Sequence, residues 1–388
     1  ASSPPPANAG VRAFRCNPWC KERTNRTVSF RNIKMLPIKK DIRALTLEQL
    51  TALFAGLGEP AFRARQVYDW LWAKSEVDFS QMSNLSKKLR EHLQENYVIN
   101  AVQIHELQVS SDRTIKCAMK LHDNFVVESV LIPLKTRMTA CISSQVGCSL
   151  TCTFCATGKL KRMRNLNADE IYDQVVLVKR TAEERYNASL TNIVYMGMGE
   201  PLLNYAEVIK SVEKISSPDG LGMSPRRITV STAGVAKMIQ KLGDDKVKFN
   251  LALSLHAAND EKRNQIMPIN ETNSLDNLVE ALNYFHAKTG TRCTLEYIAF
   301  RDFNDSLKDA QELVEFCRRV KSKVNIIEYN AIDGGGFRQT TKERLEAFTQ
   351  HLEKNGVICN VRRSRGKDID AACGQLANKN KLVSPELK

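Results

Sequence analysis

From residue 139 onward the sequence repeats one pattern: a short apolar run, a loop, then a longer stretch with apolar residues at helical spacing. Runs at 140–143, 192–196, 227–231, 249–255, 294–298 and 324–329 read as strands. Stretches at 168–185, 206–215, 235–242, 275–288, 307–320 and 342–355 read as helices. Six such units in series point to an α/β fold with a parallel sheet and helices outside, because neighbouring parallel strands need a helix-length crossover. An open sheet and a partial barrel both satisfy this. In either, chemically active side chains gather at the C-terminal ends of the strands and in the loops that follow.

The chain before this core divides into three. Residues 37–98 predict a small helical domain: Thr46 with Gln49 makes a capping box, and Leu47, Leu50, Leu53 and Phe54 form one apolar face. A second helix is expected over 62–72, with Val67, Trp70 and Leu71 inward, and a third from about Met82 with Leu85, Leu89 and Leu93. Arg63, Arg65, Lys87, Lys88 and Arg90 stud the second and third. They suit a solvated face or an RNA-contacting one. Residues 99–136 read as a β-hairpin linker, with strands at 114–121 and 125–132 around Asp123-Asn124. Residues 1–36, with Pro4, Pro5 and Pro6 and no period, read as a disordered or mis-assigned extension rather than an organelle address. Cys16 and Cys20 there lack a second pair and receive no role. The core is expected to run over 137–376 and a tail over 377–388.

The formal net charge of +14 favours a polyanionic partner, and nucleic acid is the usual one for a basic excess of this size. No apolar run approaches the ~20 residues of a membrane-spanning helix, so a soluble, cytoplasmic protein without membrane contact is expected. The eleven cysteines are unevenly spaced, which favours metal or thiol chemistry over a disulfide framework. Cys117, Cys293, Cys317 and Cys359 lie in apolar or mixed segments and read as small buried hydrophobes.

Three motifs carry chemistry, each in a loop after a strand. In Cys148-Ser-Leu-Thr-Cys152-Thr-Phe-Cys155, three thiolates can wrap one compact metal centre. A 4Fe-4S cluster usually takes four cysteines, so three leave one iron open for a substrate. Zinc competes, but structural zinc sites pair two ligand units and no second pair follows. Met196-Gly-Met-Gly-Glu-Pro201 allows close backbone approach at Gly199 and offers Glu200 as an acceptor for an ammonium group. Ser231, then Ser254-Leu255-His256, then Asn330 follow later strands; alone, each reads as ordinary loop polarity. Near the C terminus, Arg365-Gly-Lys-Asp-Ile-Asp-Ala-Ala-Cys373-Gly-Gln-Leu376 places a thiol among Arg362, Arg363, Arg365 and Lys367, which suit RNA phosphate. With Cys141, it makes two thiols outside the triplet.

The triplet resembles that of the radical S-adenosylmethionine (SAM) superfamily, a partial (β/α)6 barrel, and the Gly-Glu-Pro segment resembles its SAM-amino motif. Over about 40–376, with Phe62-Arg-Ala-Arg-Gln66 and Asn84-Leu-Ser-Lys87 included, the chain resembles the RlmN family of ribosomal and transfer RNA adenine-C2 methyltransferases. That family shares its mechanism with the Cfr adenine-C8 methyltransferases. Lys159-Leu-Lys-Arg-Met-Arg164 departs from a glycine and aromatic residue that many members carry, without touching a catalytic position.

The resemblance implies a 4Fe-4S cluster on Cys148, Cys152 and Cys155, and SAM, two per turnover, held by Gly199, Glu200, Ser231, Ser254, Leu255, His256 and Asn330. It implies that Cys373 becomes an S-methylcysteine intermediate, that Cys141 resolves it through a transient disulfide, and that Glu128 takes the C2 proton. The expected partners are 23S rRNA, tRNA and a flavodoxin-like electron donor, with a monomer as the default. Two alternatives remain: a Cfr-like adenine-C8 methyltransferase of 23S rRNA, and a non-catalytic Fe-S RNA-binding protein.

Overall fold

The structure is a computed structural model and describes residues 39–379. The expectations for residues 1–36, for Cys16 and Cys20, and for the end of the tail fall outside them. Ten strands form one sheet whose spatial order follows the chain. They are β1 (Gln103–Val109), β2 (Ile115–Lys120), β3 (Val126–Leu134), β4 (Arg137–Cys141), β5 (Asn192–Tyr195), β6 (Ile228–Thr232), β7 (Asn250–Ser254), β8 (Cys293–Ala299), β9 (Ser322–Glu328) and β10 (Cys359–Arg362). From β4 to β10 every pairing is parallel, and from β1 to β4 every pairing is antiparallel. The edges β1 and β10 do not pair, so the sheet stays open.

Each parallel step is bridged by a helix, as the apolar periodicity requires. These helices are α4 (Ala168–Tyr186), α5 (Tyr205–Ser216), α6 (Ala236–Asp244), α7 (Asp260–Ile266), α8 (Leu275–Thr289), α9 (Leu307–Arg319) and α10 (Lys342–Lys354). Buried on both faces, β8 carries no exposed residue. Two elements exceed the expectation. A seventh parallel strand, β10, extends the sheet beyond β9, and the short polar α7 precedes α8. The hairpin over 115–134 is continuous with the main sheet, because β3 pairs with β4. Its turn has Asn124 at φ 70°, as a tight hairpin with an Asp-Asn turn needs.

Ahead of the sheet stand α1 (Leu47–Gly56), α2 (Ala61–Leu71) and α3 (Lys87–Asn96). Both bonds of the Thr46/Gln49 capping box form, and Leu50, Phe54, Val67, Leu71, Leu89 and Leu93 are buried. The third helix begins at Lys87, later than expected, because Ser86 caps it through Leu89 N. Met82 and Leu85 are buried ahead of it in non-helical chain. Of the five basic residues on these helices, Arg63, Arg65 and Arg90 bond within the chain, to Asn84, Asp69 and Ser80 respectively. Lys87 and Lys88 are exposed.

Arg43 fastens this region to α4. It is 7% exposed, bonds Asp173 at 2.8 Å and Asn100 O at 2.9 Å, and lies 3.1 Å from Asp169. Next to it, Trp72 meets Tyr172 edge-on at 5.2 Å, and the Tyr172 hydroxyl donates to Trp72 O at 2.5 Å. No helix among the described residues is long and apolar enough to cross a membrane. Removing the cation of this buried cluster leaves three carboxylates, Asp41, Asp169 and Asp173, without it. Arg43→Met should therefore cost about 3–5 kcal/mol, read as a lower urea midpoint with an unchanged denaturant slope.

Candidate active site

The loop between β4 and α4 carries the cysteine triplet. A two-residue ladder, Gln145-Val146 against Arg164-Asn165, closes its base. Gly147 sits at φ 75°, and a Cβ there would come 2.1 Å from Lys161 O, so only glycine allows this closure. Ser143 anchors the loop from below, donating from Oγ to Glu128 O at 2.6 Å and from N to Gln174 Oε1 at 2.9 Å. Phe154, between the last two cysteines, stacks edge-on against His256 at 4.7 Å.

Cys148, Cys152 and Cys155 line one cavity of about 520 Å³. Burial, then the nearby Cys155 and Cys148, pushes the Cys152 thiol above its ordinary range; a cationic iron core would reverse that preference. Among the described residues no group of three or more His, Cys, Asp or Glu closes on a single ion. Three thiolates on one cavity wall match the donor set of a 4Fe-4S cluster that leaves one iron open.

Five SAM-side residues meet on the same wall. Gly199, at φ 96°, passes so close to Gln145 that a Cβ would lie 2.5 Å from that side chain. Glu200 is 3% exposed, and its oxygens accept from Leu202 N at 3.0 Å and Ala233 N at 2.7 Å. Burial raises its pKa and these backbone donors oppose the rise. Ser231 and Ser254, at the ends of β6 and β7, face each other with Oγ atoms 3.4 Å apart. His256 adopts φ 56°, and its Nδ1 accepts from Ile298 N at 3.1 Å, which leaves the proton on Nε2. Burial lowers its pKa from 6.5 to about 3, so the ring is neutral.

Two expected SAM contacts do not line the cavity. Leu255 is fully buried in the core, its N donating to Glu296 O and its O accepting from Arg263 Nε, both at 3.0 Å. Asn330 reaches Cys373 O at 3.4 Å instead, and its buried Oδ1 has no protein donor. Arg263, which sequence reasoning missed, is wholly buried and donates to Ala233 O, Ser254 O, Leu255 O and Asn270 Oδ1. It cross-braces the ends of β6 and β7. A charged residue in the polar α7 carried no signal of burial.

Both spare thiols reach this cavity. Cys141 ends β4 and is 7% exposed, whereas Cys373 is exposed where it lines the cavity. Ala156 N donates to Gly374 O at 2.7 Å and Thr157 Oγ1 to Leu376 O at 2.6 Å, joining the C-terminal segment to the cluster loop. Burial pushes Cys141 up, with Cys373 adding and Arg362 opposing. Cys373 opens only onto the cavity, and desolvation there raises it too, with Arg362 again opposing.

Glu128 lies outside the cavity wall. It is 1% exposed, its Oε2 accepts from Ala377 N at 2.9 Å and Asn378 N at 3.1 Å, and Lys116 stands 3.4 Å from Oε1. The expected proton acceptor is thus committed to holding the C-terminal segment. Arg362 on β10 and Glu296 on β8 do line the cavity, and neither was singled out for the chemistry.

An open parallel sheet with a three-cysteine loop after its first parallel strand defines a radical SAM enzyme, a class that uses a 4Fe-4S cluster and SAM. The Radical SAM superfamily profile matches residues 142–317, and that of the ribosomal RNA large subunit methyltransferase N-terminal domain matches residues 40–99. The chain belongs to the RlmN family and is a methyltransferase. It is 60% identical over 342 residues to the "Probable dual-specificity RNA methyltransferase RlmN" of Christiangramia forsetii, covering 88% of this chain and 97% of that one. It is 44% identical over 344 residues to the dual-specificity RNA methyltransferase RlmN of Nitratidesulfovibrio vulgaris, covering 87% and 94%. The crystal structure of a radical SAM methyltransferase from Sphaerobacter thermophilus superimposes with a TM-score of 0.82 at 38% identity, covering 87% and 99%.

Two outcomes are expected. Cys152→Ala should lose most of its bound iron and sulfide after anaerobic reconstitution, with an unchanged far-ultraviolet circular dichroism spectrum. His256 has a folded pKa below its unfolded value, so its contribution is complete above pH 6.5 and is lost as the pH falls toward about 3. Between pH 7 and 5 that loss amounts to about 2 kcal/mol. Urea titrations should find it in the native chain and not in His256→Gln.

Proposed function

We propose that this enzyme methylates C2 of an adenosine in 23S rRNA, at the peptidyl-transferase centre, and of the tRNA adenosine 3′ to the anticodon. The observation that carries this reading is the single cavity shared by Cys141, Cys373 and the cysteine triplet. C2 of adenine lies between two ring nitrogens and is too electron-poor to attack a methyl cation donor, so the carbon must arrive as a radical. When bound, the cluster and SAM supply a carbon radical able to take hydrogen from a methyl group.

The protein's own part is the two thiols. Cys373 accepts a methyl by displacement and holds it at the cavity wall. After the methyl carbon has bonded to C2, Cys141 attacks the Cys373 sulfur. The sulfur–sulfur bond forms, the sulfur–carbon bond breaks, and the carbon keeps the bonding pair and takes up a proton, so the product leaves carrying a methyl group. Arg362, Arg363 and Arg365 on the same wall suit the phosphates of an RNA whose target base has left its stack. Glu128 can act as proton acceptor only after releasing Ala377 and Asn378; holding the Cys373 segment is the role its contacts support. A flavodoxin-like donor, a monomeric enzyme and a cytoplasmic site of action complete the reading. The N-terminal match at 40–99 supports this reading over a Cfr-like one.

The test uses anaerobically reconstituted enzyme with SAM, reductant and unmodified rRNA or tRNA, followed by nucleoside mass spectrometry. 2-Methyladenosine is expected from the native enzyme and none from Cys373→Ala. 8-Methyladenosine would move the enzyme to Cfr-like chemistry, and SAM cleavage without any methyladenosine would overturn the reading.

A further inference from the structure

The carboxylates on the cavity wall are Glu200 and Glu296, and they differ in condition. Both oxygens of Glu200 accept from backbone N–H groups. Glu296 lies two residues before Ile298 on β8, on the same strand face, and both line the cavity. Between them, Tyr297 packs against Phe348 of α10. Glu296 is 4% exposed. Its Oε1 accepts from Asn325 Nδ2 at 2.9 Å and faces Arg362 at 3.6 Å. Its Oε2 is buried with no donor in the protein. A buried carboxylate oxygen without a donor is rare in folded chains and calls for an explanation. On a cavity wall, the natural one is a ligand that brings the donor.

The surroundings narrow that donor. Asn325 on β9 and Arg362 on β10 draw the carboxylate toward the arginine side of the cavity, and its charge reaches Cys373. A base carried to Cys373 for substitution at C2 presents its Watson–Crick edge there. On adenine that edge also holds the exocyclic amine, across N1 from C2. Guanine places a carbonyl oxygen at the same point, which a carboxylate repels, and has an amine already on C2.

We propose that Glu296 Oε2 accepts a hydrogen bond from the exocyclic amine of the target adenine and so selects adenine among purines. This rests on the adenine-C2 reading above. Burial favours the neutral acid, and Arg362, Asn325 and Lys323 oppose it; an amine on Oε2 strengthens the opposition. A site built around a substrate N–H discriminates strongly against an analogue lacking it, because its own acceptor is then left bare.

The experiment compares two RNAs, one with adenine and one with unsubstituted purine at the target position. Each is given to reconstituted native enzyme, Glu296→Met and Glu296→Gln. The native enzyme should methylate the purine RNA with kcat/KM at least about 100-fold lower. Glu296→Met should lose a similar factor on adenine RNA and little on purine RNA, while still binding SAM and acquiring the Cys373 methyl group. Glu296→Gln, whose amide oxygen can still accept, should recover part of the loss on adenine RNA. Equal rates of the native enzyme on both RNAs would overturn the proposal, and so would an equal loss by Glu296→Met on both. Loss of SAM binding or of Cys373 methylation in both variants, with native rates equal, would leave Glu296 serving the cofactor instead. If both variants misfold, the native comparison alone decides. A native enzyme that forms no 2-methyladenosine fails the underlying reading, an outcome distinct from equal use of the two RNAs.

Discussion

The cavity depends on how the C-terminal segment is tied down. After β10 no further strand of the sheet follows among the described residues, and hydrogen bonds fix the chain's course instead. Asp368 accepts from Ser110 Oγ at 2.5 Å and Ser111 N at 2.9 Å, and Asp112 accepts from Gly366 N at 3.0 Å. Beyond Cys373 come the bonds from Ala156 and Thr157, and then the Glu128 carboxylate under Ala377 and Asn378. Several of these are charge-assisted, and the two on the buried Glu128 carboxylate are worth about 1.5–3 kcal/mol each. They join parts of the chain more than 200 residues apart. Cys373 lies between the two sets of ties, so its position relative to the cysteine triplet follows from them, the Ala156–Gly374 bond being the most direct.

The SAM-side wall is braced in a comparable way. The Ala233 peptide is held on both sides, its N donating to Glu200 and its O accepting from Arg263. The same guanidinium also gathers the carbonyls of Ser254 and Leu255. A carboxylate and a guanidinium buried this deeply persist because each is satisfied by backbone groups of fixed position. That rigidity is what positions Ser231, Ser254 and His256 against a ligand without reorganisation.

What the sequence made legible, and what it hid, divides along physical lines. The six core strands and the long helices were readable because burial imposes an apolar period on them. The last parallel strand, with sequence Cys-Asn-Val-Arg, was not, since it is an edge strand with three of its four residues exposed. Its loss also hid the pairing of Arg362, read only as one of the basic residues around Cys373, with Glu296 on β8. The seven-residue α7 has only Ile266 as an apolar residue, so no period marked it or the burial of Arg263. At the site, the motifs located the cysteines and the Gly-Glu-Pro turn, whose spacing is local. Roles that depend on distant partners were harder. Glu128 and Leu255 matched family positions, yet their surroundings are set by residues 377–378 and by Arg263. Glu296 sits inside a strand with no motif, and only the fold shows that one of its oxygens lacks a partner.

The two thiols illustrate why this placement suits radical chemistry. Burial favours the neutral S–H form at both, and the one side chain opposing it at both is Arg362. Neither Cys141 nor Cys373 is in a disulfide. A pair of fully ionised thiolates in one cavity would be prone to oxidation before any substrate arrived. Burial works against that ionisation at both thiols, and Arg362 works for it. Because Glu296 shares that guanidinium at 3.6 Å, whatever occupies the free carboxylate oxygen also changes the field felt by both thiols. Under the proposal for Glu296, recognition of the base and reactivity of the sulfur are coupled through one arginine on an edge strand.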